Sequence, residues 1–208
     1  MTNREKAQQL DPDFVVMAYC NGYFPMADPQ TYAVSWYSPN PRAIIPLDNF
    51  KVPRSLKQRI RKRVFEIRID TSFEEVIRRC SERDETWISE DIIRVYSVLH
   101  KRGLAHSVES WRGDALAGGL YGVAINGAFF GESMFSKQSD ASKIALVHLV
   151  DYLNTRRFRL LDTQYINEHI SQFGAVEISR SSYLSLLSEA LHTETQFRDR
   201  PDDCPEDI

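Results

Sequence analysis

Asn126-Gly127 stands between two apolar runs, Ala117–Val123 (AGGLYGV) and Ala128–Phe135 (AFFGESMF), and no other feature limits the chain's options so sharply. Both turn residues tolerate the positive φ that a tight hairpin turn requires, so the two runs are expected to pair as antiparallel strands. The second run contains GESMFS (131–136), which carries one carboxylate, Glu132, in apolar surroundings. A carboxylate on a mostly buried strand must find a partner, change its pKa or face a cavity. Two readings are open here: a structural Glu paired with a neighbouring base, or a functional group in a site.

The pattern around the hairpin extends it. Ala105–Trp111, Asp114–Ile125 and Ala128–Phe135 read as three strands joined by Arg112-Gly113 and Asn126-Gly127, an antiparallel meander. A helix capped by Ser139 or Asp140 is expected to run to about Arg156, with Ile144, Val147, Val150 and Leu153 inward. A strand at Arg159–Gln164, a short helix ending at Gly174 and a helix at Ser181–Leu191 follow. Upstream, Phe65–Ile69 alternates as a strand, and Ser72–Arg83 and Glu90–Arg102 read as helices, the second closed by Gly103. The first segment gives a short helix at Phe14–Cys20, an apolar loop at Tyr23–Met26, and a proline-punctuated stretch, Trp36–Pro39 and Pro41–Pro46, that can be strand or extended loop. Leu56, Ile60 and Val64 then fall on one helical face. The expected division is a small N-terminal α/β domain over 1–63, a larger domain over 64–192, and an acidic, poorly ordered tail over 193–208.

With 208 residues the chain can bury a sizeable core. The three cysteines, Cys20, Cys80 and Cys204, are odd in number and widely spaced, which fits neither a disulfide framework nor a zinc site. The five histidines show no metal-ligand spacing, and no Ser-His-Asp arrangement is legible. No apolar run approaches a bilayer span, and MTNREKAQQL is not a signal peptide, so a cytoplasmic protein without membrane association is expected. A net charge of −3 argues against a generally basic nucleic-acid binder, but Lys51–Arg68 holds eight basic residues against one acid, Glu66.

Three antiparallel strands, a long helix, a strand and a helix form an α+β core that resembles the centre of the acyl-CoA N-acyltransferase (GNAT-like) fold. Such enzymes bind pyrophosphate through a glycine-bearing turn at the start of the long helix. Here that turn, Lys137–Ser142, has no glycine and includes Asp140, which argues against a CoA thioester donor.

The chain also carries GYFPM (22–26), WYSPNPRAIIPL (36–47), TWI (86–88), HxxGxAHSVE (100–109) and GGLYGV (118–123). FFGESMFS (129–136), ASKIAL (141–146), LLDTQ (160–164) and HISQFGAVEISRSSY (169–183) follow in order. In this order, from about Asp11 to Leu191, they resemble the leucyl/phenylalanyl-tRNA–protein transferases. That resemblance implies transfer of Leu or Phe, with Met a further option, from aminoacyl-tRNA to the N-terminal α-amine of acceptor proteins, marking them for N-end rule degradation. It implies acceptors beginning with Arg or Lys, a monomer, and no cofactor or metal, since the ester donor is already activated.

The resemblance also assigns residues. Asp162 and Gln164 match a catalytic proton-relay pair, and their i, i+2 spacing on a strand points both side chains into one cavity. Glu132 matches the carboxylate that holds the donor's α-amino group. Leu120, Phe129, Leu153 and Leu161 match an apolar pocket for the Leu or Phe side chain, although taken singly each reads more as ordinary core. Trp87, beside a turn-like Asp84-Glu85-Thr86, matches an aromatic that packs on the aminoacyl-adenosine. Met26 departs from the Trp expected after Phe-Pro; it packs adaptably but offers no rigid stacking wall. Arg54, Lys57, Arg59, Arg61, Lys62 and Arg63 form the candidate tRNA surface, with a solvated helix face as the alternative. Two other functions stay open: a GNAT-type N-acyltransferase with another small acyl donor, and a non-catalytic protein that binds aminoacyl-tRNA or N-terminal degrons.

Overall fold

In the computed structural model, residues 10–83 and 86–198 are described. The Asp11 side chain accepts the Asp13 and Phe14 amides at 2.9 Å each and opens helix α1, Pro12–Cys20. The stretch expected as an apolar loop forms strand β1, Phe24–Ala27, instead. It pairs with β2, Val34–Tyr37, and Phe24 stacks across the pair on Tyr37. Aromatic cross-strand pairing explains why a proline-bearing segment holds as a short edge strand.

The remaining strands form one sheet. They are β3 (Arg42–Ile44), β4 (Glu66–Ile69), β5 (Ala105–Arg112), β6 (Ala115–Ile125), β7 (Ala128–Ser136), β8 (Leu160–Gln164) and β9 (Val176–Ile178). Their order is β4-β5-β6-β7-β8-β3-β9. The β5-β6-β7 meander has the expected hairpin at Asn126, whose φ is 49°. All pairs are antiparallel except β7–β8, which are joined by the crossover helix α5, Ala141–Thr155. The architecture is therefore mixed α+β around a central sheet.

β3 lies in the proline-punctuated stretch that reads as strand or extended loop, and β9 is not expected from the sequence. β3 lies in the segment assigned to the N-terminal unit, yet it fills the gap between β8 and β9.

Alternation along the strands divides the core into two faces. Tyr121, Phe130 and Leu160 face α1, α3 (Phe73–Ser81), α4 (Glu90–Lys101) and α7 (Arg180–Leu191). Leu120, Phe129 and Leu161 face α5, α2 (Arg54–Arg61) and the short α6 (Glu168–Ser171). The first turn of α5 sits so close to β6 that a Cβ on Gly118 would lie 2.6 Å from the Ala141 Cβ, so glycine is required there.

Of the segment expected as a poorly ordered tail, residues 193–198 are described and 199–208 lie outside the described residues. Phe197 is buried against Phe129, Tyr152, Phe158 and His106. Among the described residues, no helix is long and apolar enough to cross a membrane.

Candidate active site

Two local departures from regular pairing create the site. Tyr121 pairs with Ser133 and Gly122 with Gly131, so Glu132 is an extra residue bulged out of β7. A bulge re-aims its side chain and bends the strand. Secondly, β7 and β8 pair only from Ala128/Leu160 to Phe130/Asp162. Beyond that point the ladder stops, and a cavity of about 490 Å³ is bounded by the ends of β7 and β8, the start of α5 and the α6 region. That volume suits a small ligand or the terminal part of a larger one.

Glu132 lies in this cavity under three donors. The Tyr19 hydroxyl reaches Oε1 at 2.7 Å, Gln164 Nε2 reaches the same oxygen at 2.8 Å, and the Tyr96 hydroxyl reaches Oε2 at 3.1 Å. The Tyr19 and Tyr96 hydroxyls also touch each other. Burial pushes the Glu132 carboxyl up to about 7, against the opposing effect of the two tyrosine hydrogen bonds. Burial, followed by the nearby Glu132 charge, holds both tyrosines well above the ordinary phenol range, so they remain donors.

Asp162 occupies a different environment. Its Oδ1 accepts Arg42 Nε at 2.9 Å and the Gln164 amide at 2.9 Å; its Oδ2 accepts Arg42 Nη2 at 2.5 Å and the Tyr183 hydroxyl at 2.8 Å. Arg42 is 1% exposed and Asp162 0%. Arg42 also donates to the Gly22 carbonyl at 3.2 Å and lies between the rings of Phe24 and Tyr183, 4.6 Å from each centroid. Burial opposes the guanidinium charge, but the Asp162 carboxylate outweighs it and raises the Arg42 pKa.

The expectation that Asp162 and Gln164 both reach one cavity therefore needs correction. Gln164 lines it, at φ 62°, while Asp162 is sealed behind by Arg42 and Tyr183. The sequence contains no local sign of this, because Arg42 lies 120 residues away in the proline-punctuated stretch.

Of the expected pocket residues, Leu120, Leu161 and Trp87 line the cavity, joined by Ile45, Leu146 and Leu149, which the sequence reading did not single out. Phe129 and Leu153 are not among its lining residues; both are fully buried in the α5-side core, where Phe129 packs on Phe197 and over Gly122. Met26 lies outside the cavity lining as well, packed on β1 against the opposite core face next to Trp87, whose carbonyl accepts the Ala27 amide at 3.1 Å. Arg83 stacks over the Trp87 ring, 5.7 Å from its centroid, and Asp84 and Glu85 lie outside the described residues.

The cavity has a polar wall as well. Lys143, Asn167, Thr163 and His169 line it, and Thr163 Oγ1 and His169 Nε2 are buried without a hydrogen-bond partner. Burial, then Lys143 and Arg83, lowers the His169 pKa, so its imidazole is neutral at neutral pH.

The basic segment adjoins this wall. Arg59 on α2 pairs with Asp140 at 3.2 Å and donates to the Ser139 carbonyl at 3.2 Å, which ties α2 to the cavity rim. Asp140 caps no amide of α5 with its side chain; Ser136 Oγ accepts the Ser142 amide instead. Arg54, Lys57, Arg61, Lys62 and Arg63 are exposed.

Together these features give an apolar wall, a carboxylate–amide pair at its edge and cationic groups at the mouth. That arrangement suits a ligand with an apolar end, a reactive centre and an anionic remainder.

Comparison with known proteins gives the same direction. Residues 44–188 match the family model described as leucyl/phenylalanyl-tRNA protein transferase, and residues 8–40 match that of its N-terminal domain. A protein of Herpetosiphon aurantiacus named leucyl/phenylalanyl-tRNA–protein transferase is 53% identical over 192 residues, covering 91% of this chain and 99% of its own. One of the same name from Salinibacter ruber is 52% identical over 182 residues, covering 88% and 80%. Among solved structures, that of L-PGS from Bacillus licheniformis aligns with 78% of this chain and 56% of its own, at 13% identity and a TM-score of 0.41. That last likeness is too weak to bear on the fold. The chain belongs to the leucyl/phenylalanyl-tRNA protein transferase family.

Proposed function

We propose that this member of the family transfers Leu or Phe from aminoacyl-tRNA to the N-terminal α-amine of acceptor proteins beginning with Arg or Lys, marking them for N-end rule degradation. One observation carries most of the reading: the Glu132–Gln164 pair stands at the edge of an apolar cavity. The apolar wall of Leu120, Leu161, Leu146 and Leu149 suits the side chain of the transferred residue. Trp87, with Arg83 stacked on it, offers a flat face for the terminal adenosine. The exposed bases of α2, fixed to the rim by Arg59, supply phosphate contacts that position tRNA without reading sequence.

The ester is already activated, so the site's task is to place a neutral amine against the carbonyl carbon and stabilise the resulting oxyanion. Gln164 holds Glu132 through Nε2, which leaves its Oε1 to orient the incoming amine.

The same reading includes a GNAT-like catalytic unit over 64–192 behind a small N-terminal unit over 1–63. In its favour, an antiparallel run β4–β7 is followed by α5 and a strand parallel to β7. The strand β3, contributed from before residue 63, makes that seam a shared one.

The test is incubation with individually charged tRNAs and peptides of different N-termini, followed by mass spectrometry. The expected product is a peptide with an N-terminal Arg or Lys extended by Leu or Phe. Acetyl transfer from acetyl-CoA with no product from any charged tRNA would overturn the proposal.

A further inference from the structure

Two buried carboxylates lie near the cavity, and their hydrogen-bond inventories differ. An ionised carboxylate offers about four lone-pair sites. Asp162 uses four, on Arg42 Nε, Arg42 Nη2, the Tyr183 hydroxyl and the Gln164 amide, and it lines no part of the cavity. It has neither a free acceptor site nor access to an amine. Glu132 uses at most three, two on Oε1 and one on Oε2, since Tyr19 and Tyr96 carry one hydroxyl proton each and also contact one another, and it does line the cavity. Its remaining site is on Oε2.

Resting on the aminoacyl-transfer reading, we propose that Glu132, and not Asp162, takes the proton released by the attacking amine and passes it to the departing ribose oxygen. The amine nitrogen forms its bond to the ester carbonyl carbon, and one N–H proton moves to Glu132. When the carbon–ribose oxygen bond breaks, that proton goes to the ribose oxygen, so the carboxylate is regenerated and no proton is consumed. Asp162 is then a positioning residue. Through the Gln164 amide it fixes the side chain that bridges to Glu132, and through Arg42 and Tyr183 it is itself fixed.

The surroundings of Glu132 fit this task. The titratable and charged groups facing it are Tyr19 from α1, Tyr96 from α4, Tyr121 from β6, Arg42 from β3 and Asp162 from β8. Burial dominates, and a carboxyl at about 7 can both accept and return a proton near neutral pH.

The experiment is single-turnover transfer to a peptide with N-terminal Arg, run from about pH 5.5 to about 8.5. Two donors are used: Phe-tRNA, and phenyllactyl-tRNA, in which a hydroxyl replaces the donor α-amine. Glu132→Gln is expected to slow both donors by about 10²–10⁴-fold. Tyr96→Phe removes one hydrogen bond to the carboxylate and is expected to move the acid limb of the rate profile to higher pH with both donors. The acceptor amine contributes equally in both proteins, so that shift reports on the site. If Glu132→Gln slows Phe-tRNA but reacts with phenyllactyl-tRNA at the wild-type rate, Glu132 only holds the donor ammonium and the proposal fails. It also fails if a folded Asp162→Asn variant loses the acid limb. Wild-type protein inert toward every charged donor would instead remove the functional reading on which the proposal rests.

Discussion

Gln164 Nε2 donates to Glu132 Oε1 at 2.8 Å, bridging β8 and β7 just past the last residue pair that the two strands share. The bridge sits where the backbone ladder has ended, so a side-chain hydrogen bond links the two strands there.

Removal of that bridge should affect turnover more than folding. Gln164→Ala is expected to lower the single-turnover rate by about 10²–10³-fold, while binding of charged tRNA stays near the wild-type level. A near-normal rate in a protein of unchanged melting temperature would take Gln164 out of the mechanism.

Glu132 makes stability depend on pH. Its folded pKa, about 7, lies above the ordinary 4.5, so the folded state retains a proton that the unfolded chain releases earlier. The associated stability is complete below the unfolded value and is lost as pH rises through 7, by up to about 3 kcal/mol. Glu132→Gln lacks this titration. Its melting temperature should therefore gain on the wild type between about pH 5 and about 7.5 and then run parallel to it. A difference constant with pH, read by thermal melts, would contradict the shift.

Arg42→Met leaves Asp162 buried without its cation, a change that typically costs about 3–5 kcal/mol. Denaturant titration should show that loss. The double variant Arg42→Met with Asp162→Leu should recover part of it, because the unpaired charge is gone. Equal destabilisation of single and double variants would show that the penalty is not electrostatic.

Phe197 is 2% exposed although it lies in the segment that composition marks as a tail. Phe197→Ala should cost about 3–5 kcal/mol, as burial on this scale implies. A loss under about 1 kcal/mol in chemical denaturation would mean that the ring contributes little to the α5-side core.

Neutralising Arg61, Lys62 and Arg63 together should weaken tRNA binding and reduce the slope of log affinity against log salt by about 2–3, one counterion per lost phosphate contact. An unchanged slope in filter-binding or fluorescence titrations would make the stripe a solvated helix face.

The sequence displayed what is local. Asn126-Gly127 marks its hairpin, the patterns of α3 and α4 mark them as helices, and Glu132 stands out as a charge in an apolar strand. What it concealed depends on contacts between distant segments. β3 finds its partners in β8 and β9, and Arg42 finds Asp162, only after the sheet has formed, so short-range periodicity carries no trace of either. Nothing local marks Tyr19 and Tyr96, because only the bulge turns Glu132 toward them. Phe129 and Leu153, taken singly, read as core more than as pocket, and the structure places both in the core and outside the cavity lining.

The Arg42 cluster also sets a schedule for biosynthesis. Its guanidinium is made 120 residues before Asp162 and 141 residues before Tyr183. β3 can be locked between β8 and β9 only once both have been made. The first residue of β3 therefore stays without its buried partners until a distant part of the chain has been synthesised.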